Sequence, residues 1–237
     1  METSASIRKT AASLGFWIAL ATTIIAAISF ALAVTTQPIS GPFCQSGCVT
    51  YPYANVVAYV PHDYIWMYPG ILLTPLFLIL MACIHYYSAD DKKIFSLIGL
   101  SFAVMCAAAI TMDYFIQLSV IQPSLLKGET EGLALFSQYN PHGIFIALED
   151  LGYLLMSLAF LCVGVIFAGA RKLERAIRCV FIGSAVLSIA TFILLSLIYG
   201  QNLEYRFEVA VITINWLTLI VGGVLLGVLF WRGKAEA

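Results

Sequence analysis

Asp113, Glu149 and Asp150 lie inside stretches of sequence that are otherwise apolar enough to cross a bilayer. An ionised side chain at the centre of a membrane helix costs about 2.5–3.5 kcal/mol or more, so carboxylates in such places serve a site or a specific network. Asp113 and Gln117, four residues apart, share one side of a helix. His142, Glu149, Tyr153 and Ser157 follow spacings of seven, four and four. At the helical repeat these four and Asp150 fall within an arc of about 100°, a polar stripe that should face the protein interior.

Several acids with one or two histidines are the donor set of a hard or borderline cation, and His142, Glu149 and Asp113 are the candidate metal ligands. Crowded carboxyls also disfavour one another's charge, which suits a proton relay. A metal- or carboxylate-dependent hydrolase acting on an outer-leaflet lipid would need the same groups and an open coordination position. A purely structural network is the competing reading, since Glu149 sits near a helix N-terminus and Asp113 could simply hydrogen-bond Tyr153 or Ser157.

The elements that must position these groups are helices. Of 237 residues, 61% are hydrophobic and 11% charged, with a mean hydropathy of +0.94; soluble domains carry roughly 25% charged residues. The net charge of −1 leaves no basic domain to neutralise phosphates, which excludes a nucleic-acid partner and leaves membrane lipid as the expected surroundings. Six apolar runs, over residues 14–34, 65–87, 94–121, 143–170, 179–199 and 209–231, match the ~20 residues of a bilayer span. The expected fold is therefore all-α, a single-domain bundle of six transmembrane helices. The first run, about 20 residues, exceeds the 7–15 of a signal-peptide core and reads as a helix.

With the N-terminus inside, cytoplasmic segments hold ten of the twelve lysines and arginines, and outer segments hold only Lys127 and Arg206. That asymmetry predicts both termini in the cytoplasm. Short termini without sorting motifs suit a prokaryotic inner membrane. The inner connections are short, whereas the outer ones, near 35–64 and 122–142, are long. The first carries Pro38, Pro42, Pro52 and Pro61 among tyrosines, and its Cys44 and Cys48 can close as a disulfide. In the second, Glu129-Thr-Glu131 before Gly-Leu-Ala-Leu-Phe136 predicts a short helix with acids in its first turn.

Small residues mark helix contacts. Gly15, Ala19, Thr22, Ala26, Ser29 and Ala33 form a stripe on the first helix. The last helix carries Gly223 and Gly227 as G-x-x-x-G, a face that serves either the bundle or a homo-oligomer. Pro75 should kink the second helix and free a carbonyl at site depth.

By rise per residue, Asp113 lies ~12 Å and Glu149 ~9 Å from the outer helix ends. The carboxylates should thus meet in the outer half of the bilayer, with Glu208 and Asn215 of the last helix at comparable depth. Familiar catalytic signatures are missing. There is no H-E-x-x-H; Ala185 follows Gly183-Ser184 where a rhomboid nucleophile needs glycine; and Ile110-Thr111-Met112 precedes Asp113 where a presenilin-type protease has G-x-G. The sequence thus predicts an outward-facing acidic pocket that binds, and translocates, a small solute or ion. Asp113, Glu149 and Asp150 would supply charge and Gln117, His142 and Tyr153 orientation. A membrane hydrolase and an accessory subunit are the alternatives. Nothing in the chain names a cofactor.

Overall fold

The computed structural model describes residues 2–36, 38–169 and 171–235, and all regular structure among them is helical. Seven α-helices follow in order: α1 (Glu2–Thr35), α2 (Met67–Tyr87), α3 (Lys93–Ile116), α4 (Gln122–Lys127), α5 (Ile144–Gly164), α6 (Lys172–Tyr199) and α7 (Tyr205–Ala235). A π-turn over Gln117–Ile121 joins α3 to α4, so helical structure runs on from 93 to 127. Pro123 falls in the first turn of α4, where a missing N–H costs little. Six of these segments are long and apolar enough to span a membrane, in agreement with an integral membrane protein. The two long connections meet at one end of the bundle, where Tyr205 bonds both Ser40 and Gln138; at the other, Arg8 of α1 and Gly233 of α7 approach Tyr87 of α2.

Lipid tails are as apolar as leucine, so close backbone approach rather than water exclusion drives packing between such helices. The small-residue stripe of α1 does this work: Ala19, Thr22, Ala26 and Ser29 are fully buried, while Leu14, Trp17 and Ile24 face outward. The partner is α7. A Cβ on Gly223 would run into the Thr23 hydroxyl and the Ala19 carbonyl oxygen, and Gly227 approaches Ala19. The G-x-x-x-G is therefore occupied by α1 of the same chain. On the far side, Gly152 of α5 accepts the Ile110 side chain of α3, and Gly99 of α3 lies against Val163 and Ala159.

Pro75 lies inside α2. Its ring nitrogen cannot bond the Ile71 carbonyl, and the Thr74 hydroxyl takes that oxygen instead at 2.8 Å. The same hydroxyl meets Thr111 of α3 at 3.0 Å. The carbonyl expected to be free at site depth is thus satisfied within the bundle.

Two sequence expectations differ in extent. The fourth span was drawn to Ala170, which lies outside the described residues, but α5 ends at Gly164. Ile166 N then bonds Val163 O at 3.0 Å, and Lys92 Nζ takes the Ile166 carbonyl at 3.0 Å. Hydropathy ran on through this turn because Ile166 and Phe167 are buried against the bundle. In the second long connection the α-helix precedes the acids instead of containing them. Gly128 and Gly132 adopt positive φ on either side of Glu129-Thr-Glu131, which leaves only a 3₁₀ turn at Leu133–Leu135.

If α1 and α7 depend on this close approach, Gly223→Leu should lower thermal stability in detergent by about 1–3 kcal/mol through overpacking. Gly183→Ala on α6, whose Cβ would meet nothing within 4 Å, should leave it unchanged or slightly raised.

Candidate functional site

Glu149 sits on α5 and is fully buried. The inward stripe of α5 continues through Tyr153 and Ser157, both buried, so the helix faces the interior as its spacing predicted. The Glu149 carboxylate accepts a 2.6 Å hydrogen bond at Oε1 from the hydroxyl of Tyr114 on α3. Tyr114 lies 2.9 Å from the Tyr153 hydroxyl, which in turn lies 2.9 Å from Nε1 of Trp216 on α7. The indole N–H can only donate, and Tyr114 has already given its single proton to the carboxylate. Tyr153 must therefore donate to Tyr114, and the whole chain runs one way, Trp216 to Tyr153 to Tyr114 to Glu149. Bonds aligned in this manner polarise one another in a low-dielectric interior.

The other Glu149 oxygen, Oε2, is buried and meets no hydroxyl, amide or ring N–H among the described residues. The group adjoining Glu149 is the Glu208 carboxyl of α7, placed so that the two can hydrogen-bond once one carries a proton. Asp113 of α3, 2% exposed, lies within electrostatic range of both, and its Oδ2 has no hydrogen-bond partner among the described residues. Asp150, half-buried, feels Glu208 as well. Four carboxyls from three helices thus converge, and none is paired with Arg, Lys or His among the described residues.

Not every expected member joins them. Gln117, buried in the π-turn, donates from Nε2 to the Phe136 carbonyl at 2.6 Å and so pins the second long connection to α3. His142 is exposed, and the carboxylate its ring meets is Glu204, at 3.7 Å. Its backbone N–H bonds the Asn140 side chain at 3.0 Å, just before α5 begins. The metal set His142, Glu149 and Asp113 does not assemble: no group of three His, Cys, Asp or Glu side chains with metal-holding geometry occurs among the described residues. Asn215 does reach the α5 stripe; its Nδ2 donates to Ser157 Oγ at 3.0 Å and to Val211 O at 2.8 Å. Tyr114, Trp216 and Trp66 were not singled out from the sequence, where they look like ordinary apolar filling. Only the pairing of α3 and α7 with α5 aims Tyr114 at Glu149 and Trp216 at Tyr153.

Beside this cluster lies a cavity of about 340 Å³ between the ends of α1 and α7 and the first long connection. Its walls include Trp66, Tyr139, Tyr205 and Trp216, with Asp63 and Glu208 as the acids. Glu208 therefore stands between the cavity and Glu149. Both oxygens of Asp63 are engaged, Oδ1 by His62 Nδ1 at 3.1 Å and Oδ2 by the Tyr139 hydroxyl at 3.1 Å. Tyr205 holds the roof: it accepts from Ser40 Oγ at 2.8 Å and donates to Gln138 O at 3.0 Å, tying the two long connections together. Gly41, at φ +64°, lies flat against the Tyr205 ring, where a side chain would collide. Cys44 and Cys48, joined by a disulfide, close the next turn.

Burial, the neighbouring Tyr64 hydroxyl and Asp63 hold the Tyr139 phenol above its ordinary value of 10.0. The folded protein thus binds that proton more tightly than the unfolded chain. This contribution to stability is intact below about pH 10 and lost as the pH rises further, so Tyr139→Phe should flatten the alkaline limb of a stability–pH profile. Removing the buried donor in Tyr114→Phe should cost about 1–3 kcal/mol in detergent unfolding. Asp113→Asn, which breaks no hydrogen bond, should match or exceed wild-type stability. No family model matches the chain, and neither does any curated protein or solved structure.

Proposed function

We propose that the protein is an integral membrane binding protein for a small, largely apolar solute, admitted at the end that carries the two long connections. The observation that carries this reading is the cavity of about 340 Å³, walled by Trp66, Tyr139, Tyr205 and Trp216 and bounded by Glu208. Ligand sites are concave, mainly apolar and aromatic, with a few convergent polar groups that fix orientation, and volumes from about 300 Å³ upward suit small molecules. The lysine and arginine asymmetry supports placing this end outside the membrane and both termini in the cytoplasm. Movement of the solute across the bilayer would follow from exchange at this site with the opposite end. There, Lys92 holds the Ile166 carbonyl and the Arg8 guanidinium lies 4.7 Å from the Tyr87 ring centre.

Two tryptophans line the cavity, while Trp17 and Trp231 face outward at 60% and 58% exposure. Occupancy is therefore readable as a change in intrinsic fluorescence. Titrating the detergent-solubilised protein with tert-butylbenzene or phenyltrimethylammonium should give a saturable change. Thr213→Trp, which fills the cavity from α7, should weaken it at least tenfold. A linear, unsaturable response to both probes, identical in the variant, would overturn the assignment.

A further inference from the structure

The solute class follows from the same pocket and rests on the binding reading above. Four observations bear on it. The cavity walls present Trp66, Tyr139, Tyr205 and Trp216, and aromatic faces attract organic cations. Of the two acids on the wall, Asp63 has both oxygens bonded, whereas Glu208 has no hydrogen bond from a hydroxyl, amide or basic side chain among the described residues. Beside Glu208 lies Glu149, completely buried, with Oε2 meeting no hydroxyl, amide or ring N–H among the described residues. Lastly, no cationic side chain neutralises the group among the described residues, since His142 and Arg206 both go to Glu204.

We infer that the pocket takes an organic cation, such as a quaternary or protonated amine, in exchange for one proton held between Glu149 and Glu208.

The exchange balances. In the empty site one carboxylic acid donates to one carboxylate, and the pair carries a single negative charge. When the cation settles against Glu208, the shared proton leaves towards the cavity. Two carboxylates then face one positive charge, and the net charge is again −1. The site therefore never holds a larger uncompensated charge than it does at rest, which is the condition for admitting an ion to a low-dielectric interior. The Tyr114 hydroxyl, 2.6 Å from Glu149 Oε1, supports the ionised form of that residue in both states. The groups facing the pair are Asp113 and Tyr114 from α3, Asp150 and Tyr153 from α5, and Tyr205 from α7. All are acids or phenols, so any cation the site acquires comes from the ligand.

The decisive measurement is proton release on binding. Phenyltrimethylammonium added to weakly buffered, detergent-solubilised protein should liberate about one proton per bound cation. Its apparent affinity should rise about tenfold per pH unit over the range where the pair holds its proton. The uncharged isostere tert-butylbenzene should release none. Glu208→Gln should abolish proton release and the preference for the cation; Glu149→Gln should abolish proton release. Cation binding without proton release, or equal affinity for both probes at every pH, would overturn the exchange while leaving the binding site standing. Failure of both probes to bind would remove the site itself. Because the wild-type protein alone gives the proton count, a misfolded variant does not leave the exchange undecided.

Discussion

Everything at the centre of the bundle is arranged around one requirement, that the buried Glu149 carboxyl be given partners in a place without water. A membrane interior offers no solvent to repair an unsatisfied group, so each neighbour is constrained by this single side chain. Tyr114 must come from α3, Tyr153 from the next turn of α5, and Trp216 from α7. Three helices are thereby fixed in both rotation and depth. The aromatic rings that deliver these hydrogen bonds also supply most of the volume, so the polar network and the apolar core are one structure. Trp66 completes it, with its ring 5.3 Å from Tyr114 and 6.2 Å from Trp216.

The same logic governs the periphery in milder form. Where α2 loses a backbone donor at Pro75, Thr74 restores the balance and its contact with Thr111 adds a link to α3. Where α5 ends, a lysine covers the exposed carbonyl of Ile166. At the end with the long connections, Gln117, Tyr205 and Asn140 each reach a backbone carbonyl of residues 134–138, so this segment is held by side chains in place of regular structure. The cavity borders this segment, with Gln138 and Tyr139 on its wall.

Much of this was legible in the sequence because its signals were periodic. Six apolar runs, the small-residue stripe of α1 and the inward face of α5 all follow from helical spacing, and each has its counterpart in the fold. The approach of Asp113 to Glu149 follows from depth and from the polar faces of two helices that run in opposite directions. Sequence reasoning failed where identity and role part company. Tyr114 and Trp216 are hydrogen-bonding residues that hydropathy counts as filling. By spacing His142 shares the phase of Glu149, but it precedes α5 and its ring finds Glu204. In the turn after α5, Ile166 and Phe167 are apolar because they are buried, so composition cannot mark the end of that helix.

The one-way run of hydrogen bonds from Trp216 to Glu149 also works as insulation. A proton moves along such a chain only if every group can both give and accept, and an indole N–H cannot accept. The aromatic side of Glu149 is thus electrically closed, however well connected it looks. Under the proposed exchange, the proton leaves on the other side of the carboxyl, where Glu208 borders the cavity. What the tryptophan closes is the aromatic side alone, and it does so by ending a wire, without a wall of bulk.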